Sequence, residues 1–278
     1  MRWFVILLAI AGGLAWSGCQ PAAAPAPAPS ATTTRSVPTP SPAQPTRSLP
    51  TATAPPTPIP SRTRTFSPSN TPSPLLITHG PRTRPEVALT FDACQSSTRP
   101  AGFDAAIVRV LTETHTPATM FLSGLWVQSH PTETQLLASV PYFELGNHSW
   151  SHPDFAVISL AQMAGEITRT QAIIRRVAGR ESTLFRFPFG TYRDEALPLI
   201  ASHGLRTIQW DVVSGDPDPN VSATAMTREV LRQTQNGSIV IMHVNSRGWH
   251  TAEALPAIIA GLRERGFALV TVSRLLRE

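Results

Sequence analysis

The sequence has no lysine, and it has no acidic residue before Glu86. All 23 positive charges are therefore arginines, seven of them within residues 1–85. Residues 86–278 hold the other 16 arginines against 18 acidic residues, so they are close to neutral. The high isoelectric point thus arises from a basic N-terminal segment, and residues 86–278 contain no basic stripe. This charge distribution excludes a nucleic-acid-binding protein, which concentrates basic residues on a folded surface.

Long apolar runs and cysteines are also scarce. The run Trp3–Ile10 is too short for a stable membrane span and is typical of a secretory signal. It leads to a small-small-Cys pattern at Cys19 that resembles a bacterial lipoprotein processing site, so we predict a signal over residues 1–19 and lipidation of Cys19. Trp16 departs from the aliphatic residue usual there, which leaves an ordinary signal as the alternative. With Cys19 lipidated, Cys94 is an unpaired thiol in an exported protein.

Residues 20–74 consist mainly of Pro, Thr, Ser and Ala, and they contain more than half of the 28 prolines. Such a segment buries too little apolar surface to offset the entropy of ordering. We therefore predict a disordered tether that holds the protein on the outer face of a bacterial membrane, or a secreted protein if Cys19 is not lipidated. Residues 75–278 are sufficient for one catalytic domain with a full core, and we expect a monomer.

Residues 75–278 alternate between strand-like and helix-like segments. Strands are predicted at residues 87–91, 118–122, 143–145, 184–187, 206–212, 238–242 and 267–271. Helices are predicted at residues 105–114, 132–139, 159–177, 195–202, 223–233 and 251–265. This repeated alternation predicts an α/β fold with a parallel sheet, and the number of repeats favours a closed or nearly closed barrel over an open doubly wound sheet. Functional residues of such barrels gather at the carboxyl ends of the strands.

Polar residues do occur at these strand ends. Five of them fall at or just after a predicted strand: Asp92, His148, Arg186, Asp216 and His243. His148 and His152 are four residues apart, and on the first turn of a helix both imidazoles would face one ion. The alternative is a pair of surface or capping histidines in a serine-rich turn.

Five short motifs occur in order between about residues 84 and 275. They are Thr90-Phe91-Asp92, His148-Ser149-Trp150-Ser151-His152, Arg186-Phe187-Pro188-Phe189-Gly190, the segment 210–216 and the segment 239–243. With these motifs the chain resembles the polysaccharide deacetylases of carbohydrate esterase family 4, which have the NodB-homology domain. The resemblance implies an irregular (β/α)7-like barrel with about seven strands. It also implies hydrolysis of an N-acetyl group, or sometimes an O-acetyl group, from a polysaccharide.

The resemblance also implies roles for the residues in the first three motifs. His148 and His152 match ligands of a divalent metal, commonly zinc, which polarises the acetyl carbonyl and lowers the pKa of a bound water. Asp92 matches the general base, and Arg186 pairs with it. The backbone N–H of Phe189 would hold the developing oxyanion.

The last two motifs match the residues that protonate the leaving group. His243 corresponds to the general acid that protonates the leaving amine, and Asp216 holds its ring and raises its pKa. A buried ion-pair network with no catalytic part is the alternative for Arg186 and Asp216.

The chain departs from the family pattern at the third metal ligand. Relatives read Thr-Phe-Asp-Asp, and the second Asp binds the metal, whereas this chain has Ala93 followed by Cys94. Asp92, Asp154 or Cys94 is a candidate replacement. We expect Cys94 to be a small buried apolar residue, and we expect Ala93→Asp to tighten metal binding.

The substrate-binding residues follow the pattern less closely. Val213 and Pro217 stand at the groove wall where relatives often carry Asp and Trp. The loop after His243 holds four candidate sugar-binding residues, Asn245, Arg247, Trp249 and His250. Trp249 would stack on a pyranose face, and a packed loop without a binding role is the alternative.

Two other functions remain open. One is a carbohydrate-binding protein that kept the barrel and lost activity through Ala93; the acid–base pair Asp92 and His243 argues against it. The other is an amide hydrolase that acts on small molecules. The predicted export and tether argue against it, because they favour a polysaccharide of the cell envelope as the substrate.

Overall fold

The computed structural model describes residues 76–277; the predicted signal, Cys19 and the whole predicted tether lie outside them. The strands are β1 (Leu76–Ile77), β2 (Glu86–Ala93), β3 (Ala118–Leu122), β4 (Phe143–Asn147), β5 (Leu184–Phe185), β6 (Arg206–Ile208), β7 (Val212–Val213), β8 (Ile239–His243) and β9 (Ala268–Val270). The helices are α1 (Ala105–Glu113), α2 (Gly124–Ser129), α3 (Pro131–Ser139), α4 (Leu160–Ala178), α5 (Ala196–Ser202), α6 (Ala223–Gln233), α7 (Thr251–Glu264) and α8 (Val272–Leu275). No helix within residues 76–277 has the length and apolarity needed to cross a membrane.

The strands form one parallel sheet that curls back on itself. Their order is β1-β6-β5-β4-β3-β2-β8-β7, with β9 beside β2. The strands β6 and β7 are consecutive parts of one segment, of which the first part pairs with β5 and the second with β8. This arrangement is the irregular barrel predicted from the sequence, although the predicted single strand at residues 206–212 is interrupted between Ile208 and Val212.

The two faces of the central strand β2 point to different sides of the sheet. Val87, Leu89, Phe91 and Ala93 belong to the core between the sheet and the helices. Successive side chains of a strand point to opposite faces, so Thr90 and Asp92 face the barrel interior. The pairing partners agree, because Leu122 beside Ala93 is in the outer core whereas Phe121 beside Asp92 is in the inner one.

Helix α4 begins where the sequence predicted. Ser159 accepts a hydrogen bond from the backbone N–H of Gln162, whose side chain accepts one from the backbone N–H of Ser159. This capping box satisfies two N–H groups that lack partners inside the helix. Helix α4 ends at Gly179, whose φ of 70° suits glycine. The helix buries Met163, Ile167 and Ile174, which holds the loop between β4 and α4 against the barrel edge.

Candidate active site

The carboxyl edge of the sheet brings the five strand-end residues together. Asp92 on β2 and His243 on β8 are register partners on adjacent parallel strands, so their side chains point the same way. His148 follows β4, Arg186 follows β5, and Asp216 follows β7. The strand order therefore brings side chains that are distant in the sequence together at this edge of the sheet.

Asp92 is held by a buried arginine. Arg186 donates from Nη1 to Asp92 Oδ1 at 2.7 Å and to Thr90 Oγ1 at 2.8 Å, and it is completely buried. Its guanidinium lies 4.0 Å from the centre of the Phe121 ring, which covers the face that makes no hydrogen bonds. Arg186 therefore fixes the position of the Asp92 carboxylate below the cleft.

Asp92 remains ionised at neutral pH. Burial alone would raise the pKa of its carboxyl group, but the charges of Arg186, His148 and His243 outweigh burial and lower that pKa below its ordinary value. Oδ2, the oxygen that does not accept the 2.7 Å hydrogen bond from Arg186, lies 3.6 Å from His148 Nε2. This oxygen can accept a proton from a molecule bound between them.

The prediction that His148 and His152 share a helix face is wrong. Both lie in the loop between β4 and α4, and the helix begins only at Leu160. Ser149 and His152 adopt positive φ values of 64° and 57°, and these turns bring the two imidazoles to a centroid distance of 4.9 Å. The loop is fixed by Glu166, which accepts hydrogen bonds from the backbone and the hydroxyl of Ser151 at 2.7 and 2.8 Å.

The ring of His148 has a defined orientation. Nδ1 lies 2.9 Å from the carbonyl oxygen of Arg186, an atom that only accepts hydrogen bonds. Nδ1 therefore carries a hydrogen, and Nε2 points into the site. A backbone carbonyl behind the ring is the usual support of a metal-binding histidine.

Cys94 is buried as expected, but its surroundings are not apolar. Its Sγ lies 3.4 Å from His148 Nε2. Burial raises the pKa of the thiol, yet the charge of His148 and hydrogen bonds with His148, His152 and His243 lower it well below its ordinary value. Donor atoms of Cys94, His148 and His152 all lie within 4.8 Å of one another. The expected burial of Cys94 is confirmed, but imidazole nitrogens lie close to its sulfur.

Asp154, another candidate ligand, is engaged elsewhere. Its Oδ1 accepts hydrogen bonds from Thr191 Oγ1 at 2.6 Å and from the backbone N–H of Ala156 at 2.8 Å. It therefore stabilises the loop before α4 and is not part of the cluster of donor atoms around His148.

His243 is oriented by Asp216. Its Nδ1 lies 3.0 Å from Asp216 Oδ1, and its backbone N–H donates to Oδ2 at 2.6 Å. Thr251 and Ser214 also donate to this carboxylate, each at 3.0 Å. Burial lowers the pKa of His243, but the hydrogen bond and the charge of Asp216 raise it well above the ordinary value. Asp216 therefore favours the imidazolium form of His243.

Strained backbone surrounds the site. Phe189 has a φ of 59° within the turn Pro188–Gly190, and Ser246 has a φ of 61° in the loop after β8. Left-handed conformation costs about 1–2 kcal/mol for a residue with a Cβ atom. With Ser149 and His152, four of the five such residues in the described chain lie at this edge. The ring of Phe189 packs edge-on against the ring of His152, with their centres 4.5 Å apart, at the edge of the donor cluster.

Two clefts meet at these side chains. One, of about 340 Å³, contains Asp92, His148 and His243, and Val213 and Pro217 form part of its wall as expected. The other, of about 360 Å³, extends past Gln95 and Arg99. Both clefts are lined by Cys94, His152, Phe189 and Arg247. A polymeric ligand could therefore cross the site from one cleft to the other.

Three of the four predicted sugar-binding residues lie away from these clefts. Trp249 is 61% exposed, and His250 pairs with Glu253 at the start of α7; neither lines either cleft. Asn245 is buried and donates from Nδ2 to the carbonyl oxygen of Cys94 at 2.6 Å. Arg247 does line both clefts. Of these four candidates, only Arg247 lies where a ligand in either cleft would touch it.

Comparisons with known proteins agree with this arrangement. Residues 79–208 match the family model for polysaccharide deacetylases. A peptidoglycan-N-acetylglucosamine deacetylase of Bacillus cereus is 30% identical over 196 residues, which cover 69% of this chain and 69% of that protein. An uncharacterized protein, YlxY, of Bacillus subtilis is 30% identical over 169 residues, which cover 61% of this chain but only 51% of that protein.

Solved structures share the fold. A pseudoenzyme of carbohydrate esterase family 4 from Bacillus anthracis is 27% identical with a TM-score of 0.67, and the match covers 74% of this chain and 70% of that one. A family 4 acetyl xylan esterase from Clostridium thermocellum, solved with a cobalt ion, is 28% identical with a TM-score of 0.59, and the match covers 68% of this chain and 89% of that one.

Proposed function

This chain belongs to the polysaccharide deacetylase family, and we propose that it removes acetyl groups, chiefly N-acetyl groups, from a polysaccharide of the bacterial cell envelope. Its enzyme class is that of the carbohydrate deacetylases, hydrolases that act on carbon–nitrogen bonds other than peptide bonds. The observation that carries the proposal is the meeting of Asp92, held by Arg186, and His243, held by Asp216, in one cleft.

The donor atoms in the cleft fit a divalent metal. His148 and His152 would hold it, because the backbone carbonyl of Arg186 leaves Nε2 of His148 free to bind a cation. Such a cation supplies Lewis-acid activation of the acetyl carbonyl and of the attacking water.

The remaining groups move protons and stabilise charge. Asp92 takes the proton of the attacking water, and Arg186 keeps the carboxylate ionised and in place. We assign the developing oxyanion to the backbone N–H of Phe189, a residue that lines the cleft beside His152. His243 then protonates the departing amine, and Asp216 stabilises the imidazolium form until that step.

The charge of the second cleft favours an acidic glycan. Arg99 and Arg247 line it, and none of its lining residues is acidic. A sugar bearing a carboxylate, such as a muramoyl unit, would place that group against guanidinium donors. An exported, lipid-anchored protein would meet such a polymer in the envelope, so we propose that location.

A binding protein without activity is the second candidate. It is favoured by Ala93 at the position of the usual metal-binding Asp, and by a pseudoenzyme among the solved structures of the same fold. The intact pairs Asp92–Arg186 and His243–Asp216 argue against it, because binding alone needs no ionised base opposite a protonated acid.

Acetate release tests the proposal. The full chain, loaded with zinc, is incubated with chitin oligomers, peptidoglycan and acetylxylan. We expect release from at least one of them, and a decrease of about 10²–10⁴-fold in His243→Ala, the usual range for removing a general acid. Metal content should be unchanged in the variant. Loss of metal would instead identify His243 as a ligand and contradict the assigned role.

A further inference from the structure

At the end of β2, Cys94 carries a donor atom toward the imidazoles and Ala93 carries none. Ala93 is fully buried and lies in the outer core with Leu89 and Phe91. Asp92 faces the barrel interior, and two residues along a strand share a face, so Cys94 follows Asp92 into the site. The thiol occupies the position where a side chain from this strand can contact both imidazoles.

The spacing of the donor atoms fits one ion. Bonds of about 2.3 Å to sulfur and about 2.1 Å to nitrogen, at a tetrahedral angle, separate the two donor atoms by roughly 3.5 Å. Cys94 Sγ and His148 Nε2 lie 3.4 Å apart. The donors of Cys94, His148 and His152 together stay within 4.8 Å of one another, and each comes from a short, fixed segment.

The backbone around Cys94 is held on both sides. Asn245 donates from Nδ2 to the carbonyl oxygen of Cys94 at 2.6 Å, and Ser123 donates to the carbonyl oxygen of Ala93 at 3.0 Å while accepting from the N–H of Gln95 at 2.9 Å. All of these contacts are intrachain and buried or partly buried. Such support around a donor is typical of metal ligands, whose neighbours fix their direction.

We propose that Cys94 supplies the third protein ligand through its sulfur, in place of the family's carboxylate. This inference rests on the proposed metal-dependent function and specifies the chemistry of the same site. A set of one thiolate and two imidazoles is softer than a set of one carboxylate and two imidazoles. The site therefore selects Zn²⁺ or Co²⁺ over harder cations such as Mn²⁺ and Mg²⁺.

Cobalt spectroscopy on the full chain tests the ligand directly. A thiolate bound to Co²⁺ gives a sulfur-to-metal charge-transfer band in the near ultraviolet, which nitrogen and oxygen ligands do not give. We expect the band in the wild type and its loss in Cys94→Ser. The chain has only one other cysteine, so Cys19→Ser is a matched control that should keep the band. Cobalt binding without the band in the wild type, or a band lost only in Cys19→Ser, would overturn the proposal.

A second variant covers the case in which Cys94→Ser fails to fold. Cys94→Asp returns a carboxylate to the same position, so it should bind cobalt without the band. Its affinity for manganese relative to zinc should increase by at least about tenfold, since even supporting residues change metal affinity by that factor. An unchanged ratio would contradict a sulfur ligand. A wild type that shows the band but releases no acetate supports the ligand and refutes the proposed function.

Discussion

Replacing Ala93 by Asp tests which way the end of β2 faces. Ala93 is fully buried in the core between the sheet and the helices, beside Leu122 of β3. The new carboxyl group would lie among apolar side chains and away from the imidazoles of the cleft. We therefore expect Ala93→Asp to destabilise the protein without tightening metal binding. The family pattern alone gives the opposite expectation, that Ala93→Asp tightens metal binding.

The magnitude follows from the ionisation of the introduced group. A carboxyl group with an ordinary pKa near 3.9 that must stay neutral at pH 7 costs about 4 kcal/mol, at about 1.36 kcal/mol per pH unit. Burial raises its folded-state pKa, so the unfolded chain releases the proton first, and stability falls as the pH rises above about 4. Between pH 5 and pH 7 the additional loss is about 2.7 kcal/mol. Such a loss is large beside the 5–15 kcal/mol typical of folded domains.

Urea unfolding at pH 5 and pH 7, followed by circular dichroism, measures this loss. Ala93→Asn is the matched control, because it has the same shape without an ionisable group, and its loss should not depend on pH. Zinc affinity is measured on the same samples. An Ala93→Asp protein of wild-type stability at both pH values, with tighter zinc binding, would show that position 93 faces the metal site and would refute the assignment of faces on β2.

Three further predictions concern the clefts. Asp216→Asn should lower the pKa of His243, so the alkaline decrease in kcat should begin at a lower pH, and an identical alkaline limb in the pH–rate profile would contradict the acid assignment. Asp92→Asn should abolish acetate release and reduce the free energy of unfolding by about 3–5 kcal/mol, because the buried guanidinium of Arg186 loses its counter-charge; activity and urea assays together check both effects. Arg247→Gln should raise KM by about tenfold for a carboxylate-bearing glycan, the value of one charged hydrogen bond, with KM for neutral chitin oligomers as the control.

The order of strands and helices could be predicted because each strand is a short apolar run with a polar residue at its carboxyl end. Asp92, Arg186 and His243 were found in this way, and the structure brings them to one edge. Parallel pairing explains this success, since it places all carboxyl ends on the same side of the sheet. The family motifs added roles that the pattern alone does not specify.

The loop conformations could not be predicted. The spacing of His148 and His152 suits a helix, but positive φ values at Ser149 and His152 bring the rings together instead. Such values follow from contacts made by distant residues, such as the hydrogen bonds from Ser151 to Glu166. Sequence spacing carries no information about those contacts.

The imidazoles around Cys94 were not predicted, for a different reason. The predicted strand ended at Phe91, so the alternation of faces was not extended to Ala93 and Cys94. With the strand reaching Ala93, the same alternation places Cys94 on the face of Asp92. An error of two residues at a strand end therefore left the direction of the Cys94 side chain unpredicted.

Metal dependence is tested by removing the metal and adding it back. Acetate release from peptidoglycan is measured on the full chain as purified, after treatment with a chelator, and after addition of one equivalent of Zn²⁺. We predict that chelation abolishes release and that zinc restores it, with zinc bound at one ion per chain. Acetate release that is insensitive to the chelator, or a zinc-loaded protein that releases no acetate from peptidoglycan, chitin oligomers or acetylxylan, would contradict this prediction.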